Sequence, residues 1–121
     1  MTGIEVVHGS ALTKGDTKNG ITRMKAFDKE NVIGSQSKIA PKIVSSWHHH
    51  GTRQLFGFLV SGRLQLESVH DNPRMVDIHP GDFFHIPVGL VHRDLNPDTD
   101  REAVVSTILI GTGPAVVNVE A

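Results

Sequence analysis

The chain has 121 residues, 38% hydrophobic and 21% charged, with twelve basic side chains against thirteen acidic ones and a net charge of −1. That suits one compact domain over residues 1–121 and lacks the basic excess of a nucleic-acid binder. No cysteine and no tyrosine occur, which excludes disulfides, zinc–thiolate clusters, cysteine nucleophiles and a tyrosine acid, base or radical.

Taken in chain order, residues 1–20 are weakly patterned and read as an N-terminal extension, a candidate arm to a neighbouring subunit. Glycine and proline then interrupt the chain at short intervals, from Gly34 and Pro41 to Gly113 and Pro114. Long helices do not fit between such breaks, whereas short strands do. Strands are expected over residues 21–27, 32–39, 43–50, 55–60, 63–69, 75–78, 83–86, 88–95 and 103–110. The pair 55–60 and 63–69 reads as a hairpin turning at Ser61-Gly62, where glycine supplies a positive φ. Residues 96–101 are polar and read as a surface loop. About nine strands with tight turns predict an all-β antiparallel sandwich or barrel. No segment nears the roughly 18 apolar residues of a membrane helix. Residues 1–10 hold no signal-peptide core, so a cytoplasmic protein with no membrane partner is the expectation.

Histidine is the compositional anomaly, eight in all. In Trp47-His48-His49-His50, alternate side chains of a strand share a face, so His48 and His50 point one way about 7 Å apart and His49 the other. Gln54 follows past Gly51, where a turn or bulge can return its amide oxygen to the same place. The second group runs from Gly81 to Asn96. Pro87 and Gly89 force a turn, and His92 lies on the returning segment. Three imidazoles from two distant strands suit one divalent ion, and Zn, Fe, Ni, Mn and Cu all accept imidazole. His85, two residues before Pro87, is either a fourth ligand, a pocket histidine and general base, or a core histidine remote from the site. His8, His70 and His79 sit near turns or termini and read as solvated. Trp47 reads as packing. Arg93 faces away from His92 by strand parity and reads as a surface ion pair with Asp94 or Glu102.

These two stretches, residues 47–62 and 81–96, resemble the two motifs of the cupin superfamily. The second carries the full spacing as Gly81, Pro87, Gly89, His92 and Asn96. The first has His48, His50 and Gly62, but the family's glutamate, four or five residues past the second histidine, is replaced by Gln54 or Leu55. The resemblance implies a single jelly-roll barrel with His48, His50, Gln54 and His92 around one metal ion, or water in place of Gln54. A neutral ligand set leaves the ion its full charge and favours an anionic or enolisable small molecule. The implied function is a metal-dependent isomerase, cyclase or dioxygenase. The alternatives are a non-catalytic metal-dependent binding protein and a purely structural metal site. Small cupins commonly pair, so a homodimer is expected.

Overall fold

The computed structural model describes residues 3–69 and 75–120, apart from the side chain of Asp16. Its strands are β1 Thr13–Lys18, β2 Ile21–Lys29, β3 Val32–Ile39, β4 His48–His49, β5 Gln54–Ser61, β6 Leu64–Ser68, β7 Met75–Ile78, β8 Phe83–Ile86, β9 His92–Leu95, β10 Ala103–Ile110 and β11 Val117–Asn118. They form two sheets, β1-β2-β3-β10-β5-β8 and β11-β4-β9-β6-β7, antiparallel throughout. The sole helical element among the described residues is a short 3-10 turn, Gly9–Ala11. None of their helices is long and apolar enough to cross a membrane.

Period-two alternation decides what each sheet buries. On β5, Leu55, Gly57 and Leu59 are buried while Phe56 and Val60 are exposed. On β10 the buried set is Ala103, Val105 and Leu109. These faces meet Leu64, Leu66 and Ile78 from the other sheet, giving an apolar cluster around Ile21, Leu59 and Val105. A second cluster gathers Ile33, Leu55, Ile86 and Leu109, and Leu66 and Phe84 pack against both. The sheets do not close on each other completely, and a cavity of about 340 Å³ remains between them. Gly57 shapes it, because a Cβ there would stand 2.2 Å from Phe84 Cζ. The missing side chain lets the Phe84 ring lie across β5 from its paired position on β8.

Several strand expectations need correction. Residues 55–60 and 63–69 do not form a hairpin, since β5 pairs with β10 and β8 while β6 pairs with β7 and β9. The chain changes sheets at Gly62, which has φ +88° and lies against the Glu102–Ala103 backbone, with Glu102 O 2.5 Å from where a Cβ would stand. Its positive φ signals a tight bend, but the direction of the bend is set by this packing. The expected strands 43–50 and 88–95 shrink to β4 and β9, preceded by turns and a single bridge, Val44 with Leu95. Within the expected N-terminal arm, β1 pairs with β2 of the same chain. Strand β11 was not anticipated, because two residues carry no alternation to read.

The loop after β9 is organised by Asn96, which is 1% exposed. Its Nδ2 donates to Ile39 O (3.0 Å), Ala40 O (3.3 Å) and Arg101 O (2.9 Å), and its Oδ1 accepts from Asp98 N (3.0 Å). Asn96→Ala strands these buried groups and is expected to cost about 2–4 kcal/mol. A urea midpoint lowered at unchanged slope would show it, and an unshifted midpoint would contradict it.

Candidate metal centre

His48 sits on β4 and is paired with His92 on β9. His50 lies just past β4, held by the turn at Gly51 (φ +61°). The two motif turns are tied together by Gly89 N donating to Gly51 O at 3.0 Å. The three imidazoles are 1%, 5% and 2% exposed in the order His48, His50, His92. Ring centroids are 4.4 Å apart for His48–His92, 5.1 Å for His50–His92 and 5.4 Å for His48–His50.

The chemistry follows from what holds the rings. His48 Nδ1 meets Ser46 O at 2.8 Å, His50 Nδ1 meets Ala115 O at 2.8 Å and His92 Nδ1 meets Leu90 O at 2.9 Å. A carbonyl only accepts, so each Nδ1 carries the hydrogen and each Nε2 is the atom left to ligate. His50 Nε2 and His92 Nε2 are buried with no hydrogen-bond partner. Burial pushes the pKa of His50 down to about 4 and lowers that of His92, with the neighbouring imidazoles adding to both effects. The ligand atoms of all three lie within 4.8 Å of one another. Two buried nitrogens without a partner, those of His50 and His92, are costly in an interior unless an ion receives them, and the three-imidazole donor set fits one divalent ion.

The backbone carbonyl under His50 is itself supported. Arg53, 7% exposed, donates from Nε to Gly113 O and from Nη1 to Gly111 O, both at 2.8 Å. It thereby fastens the segment leading to Ala115. The sequence reading missed Arg53, because a lone arginine after a turn shows no periodicity.

Gln54 and His85 are not with the triad. Both lie on the outer face of their sheet, where His85 Nε2 bonds Gln54 Oε1 at 2.8 Å and the His85 ring stacks on Phe56 at 4.7 Å. The turn after His50 resets the strand phase, so Leu55 faces inward and Gln54 outward. Gln54 as ligand and His85 as ligand or general base are therefore both corrected. His8 and His79 are exposed as expected, and His70 lies outside the described residues. His49 Nδ1 accepts from Gly51 N at 2.9 Å.

Arg93 is also re-assigned. It pairs with Glu67 (Nε–Oε1 2.6 Å) and stacks over Trp47 at 4.4 Å, the packing role expected for that ring. Asp94 is left facing inward, where it lines the cavity with His50, His92, Arg23, Ser35 and Thr107. Strand parity from His92 was the signal that could have placed Asp94 there.

The cupin-domain family profile matches residues 36–110. The chain belongs to the cupin family. No curated protein has a sequence matching it. Among solved structures it is similar to the polyketide cyclase RemF from Streptomyces resistomycificus, with TM-score 0.80 and 17% identity, covering 98% of this chain and 87% of that one. An RmlC-like cupin from Shewanella frigidimarina superposes with TM-score 0.73 at 12% identity, covering 91% and 93%. An oxalate oxidase in complex with the substrate analogue glycolate gives TM-score 0.69 at 20% identity, covering 88% of this cupin and 60% of that chain. At these identities the likeness establishes the fold.

Proposed function

We propose that this cupin is a metal-dependent enzyme acting on a small organic substrate that presents oxygen donors beside a carbonyl, in the manner of an isomerase, cyclase or dioxygenase. The observation that carries the reading is the cluster of three buried imidazoles, their ligand atoms within 4.8 Å of one another, with His50 and His92 lining the cavity. His48, His50 and His92 would hold one ion of Zn, Fe, Ni, Mn or Cu. When bound, such an ion supplies Lewis-acid polarisation of a substrate oxygen. The walls formed by Leu55, Phe84, Ile86 and Leu109 keep water from that oxygen and take an apolar body. Arg23 lines the same cavity and is close enough to depress the His92 pKa. It gives the pocket a cation for a carboxylate or enolate. Two of the similar structures are enzymes, a cyclase and an oxalate oxidase.

The test is incubation of metal-loaded protein with β-dicarbonyl, hydroxy-acid and catechol compounds, followed by NMR. We expect at least one compound to be consumed by the loaded protein and not by the metal-free form, with free acids preferred over their esters. Binding without conversion across the panel would favour the second reading, a metal-dependent binding protein, which the same triad and cavity support.

A cytoplasmic homodimer belongs to the same proposal. The support is an apolar stretch on the outer face of the six-stranded sheet, where cross-strand register sets Ile108 beside Phe56 and Phe58 beside Phe83. Phe83 is 71% exposed there on the edge strand β8. A twofold mass in light scattering, reduced to a monomer by Phe83→Glu, is expected. A monomeric wild type would sink this part.

A further inference from the structure

One more group approaches two of the three imidazoles. Asp94 follows His92 by two residues, so the pleat puts its carboxylate on the same inner face. Asp94 Oδ2 lies 3.8 Å from His48 Nε2, and Oδ1 lies 3.7 Å from His92 Nε2. Both separations are too long for hydrogen bonds, and both end on nitrogens that the backbone carbonyls leave free. Ligand atoms about 2.1 Å from one ion stand roughly 3.0–3.4 Å from their neighbours in octahedral or tetrahedral arrangements. The carboxylate is thus within a few tenths of an ångström of ligand spacing from two imidazoles at once.

Two further observations agree. No hydrogen bond to a described residue holds the carboxylate, although the backbone beneath it is pinned, with Asp94 N donating to Ser45 Oγ (2.9 Å) and Asp94 O accepting from Ser45 N (2.8 Å). The inward position where the family's first motif carries its acid is Leu55 here, a buried apolar side chain that cannot ligate. The site is therefore short of an anion on β5 and supplied with one on β9.

We propose that Asp94 is the fourth protein ligand of the ion, moving the anionic donor from the first motif to the second. The inference rests on the metal-binding reading above. It alters one consequence of that reading, since three neutral imidazoles and one carboxylate leave the centre a net charge of +1 instead of +2. The full-charge argument drawn from Gln54 does not apply.

The experiment titrates metal-free wild type, Asp94→Asn and Asp94→Ala with Co(II). It reads the visible d–d bands, which depend on the atoms bound to the ion, and measures affinity by competition with a chromophoric chelator. Thermal melts of the metal-free forms check folding. We expect both variants to fold, to change the position and intensity of the Co(II) bands, and to lose at least the roughly 10- to 100-fold in affinity that a supporting group is worth. Bands identical to wild type in either folded variant would overturn the proposal, whatever the affinity, because the donors on the ion would be unchanged. Wild type that fails to bind Co(II) would overturn the metal reading itself, and this proposal with it. If one variant does not fold, the spectrum of the other decides.

Discussion

His92→Ala is expected to empty the metal site, lowering affinity for Zn(II) or Co(II) by about 100- to 1000-fold. A whole protein-held zinc centre is worth roughly 10–16 kcal/mol, so one of three or four ligands carries about 3–4 kcal/mol of it. His92 contributes more than a nitrogen, because it is the strand partner of His48 and its ring is the closest to the His48 ring, at 4.4 Å. Metal content after dialysis, measured by mass spectrometry against wild type, gives the result directly. Gln54→Ala and His85→Ala are the controls. Both side chains lie on the outer face and bond each other at 2.8 Å, so each variant should retain wild-type metal content. Metal loss in Gln54→Ala comparable to that in His92→Ala would mean that β5 presents the opposite face to the cavity.

The metal-free protein is expected to lose stability steeply as pH falls from about 6.5 to about 4. His50 is held neutral in the folded state, its pKa lowered by burial to about 4, against 6.5 for the free side chain. Below pH 6.5 the unfolded chain binds a proton there that the folded chain does not. The contribution is therefore fully present above 6.5 and shrinks as the pH drops through this window. The shift corresponds to about 3 kcal/mol from His50 alone, and His92, lowered by the same burial, adds in the same direction. Urea unfolding of metal-free protein at pH 7.5, 6 and 4.5 measures it, and His50→Gln, which cannot titrate, should flatten the profile. A flat wild-type profile would show that the rings take up protons without opening the fold. Zinc should move the loss to lower pH, since the ion binds only the neutral rings.

Much of this protein is legible in its sequence, wherever the signal is local to one strand. The alternation of 32–39 and 103–110 placed β3 and β10 at their observed bounds. The parity of His48 and His50, and the Pro87–Gly89 turn before His92, named the three residues that the fold buries together. Each of those inferences needed only the pleat of one strand or the φ demanded by one turn. What failed did so at joints. The bend at Gly62 was visible, but its departure into the second sheet depends on the Glu102–Ala103 backbone packed against it. The phase of β5 was not legible, because the turn after His50 interrupts the count and the packing of Leu55 with Ile33, Ile86 and Leu109 sets which residues face inward. That packing sent Gln54 outward to His85. Asp94 was assigned to the surface because its neighbour Arg93 looked like its partner, until Glu67 from β6 took that role across the sheet. Sequence by itself determined most of the longer strands and the grouping of the three histidines, because pleat and turn act over a few residues. Only the tertiary structure decided that Asp94 faces them, that Gln54 turns away and that Arg53 braces the segment behind His50, because that depends on how two sheets meet.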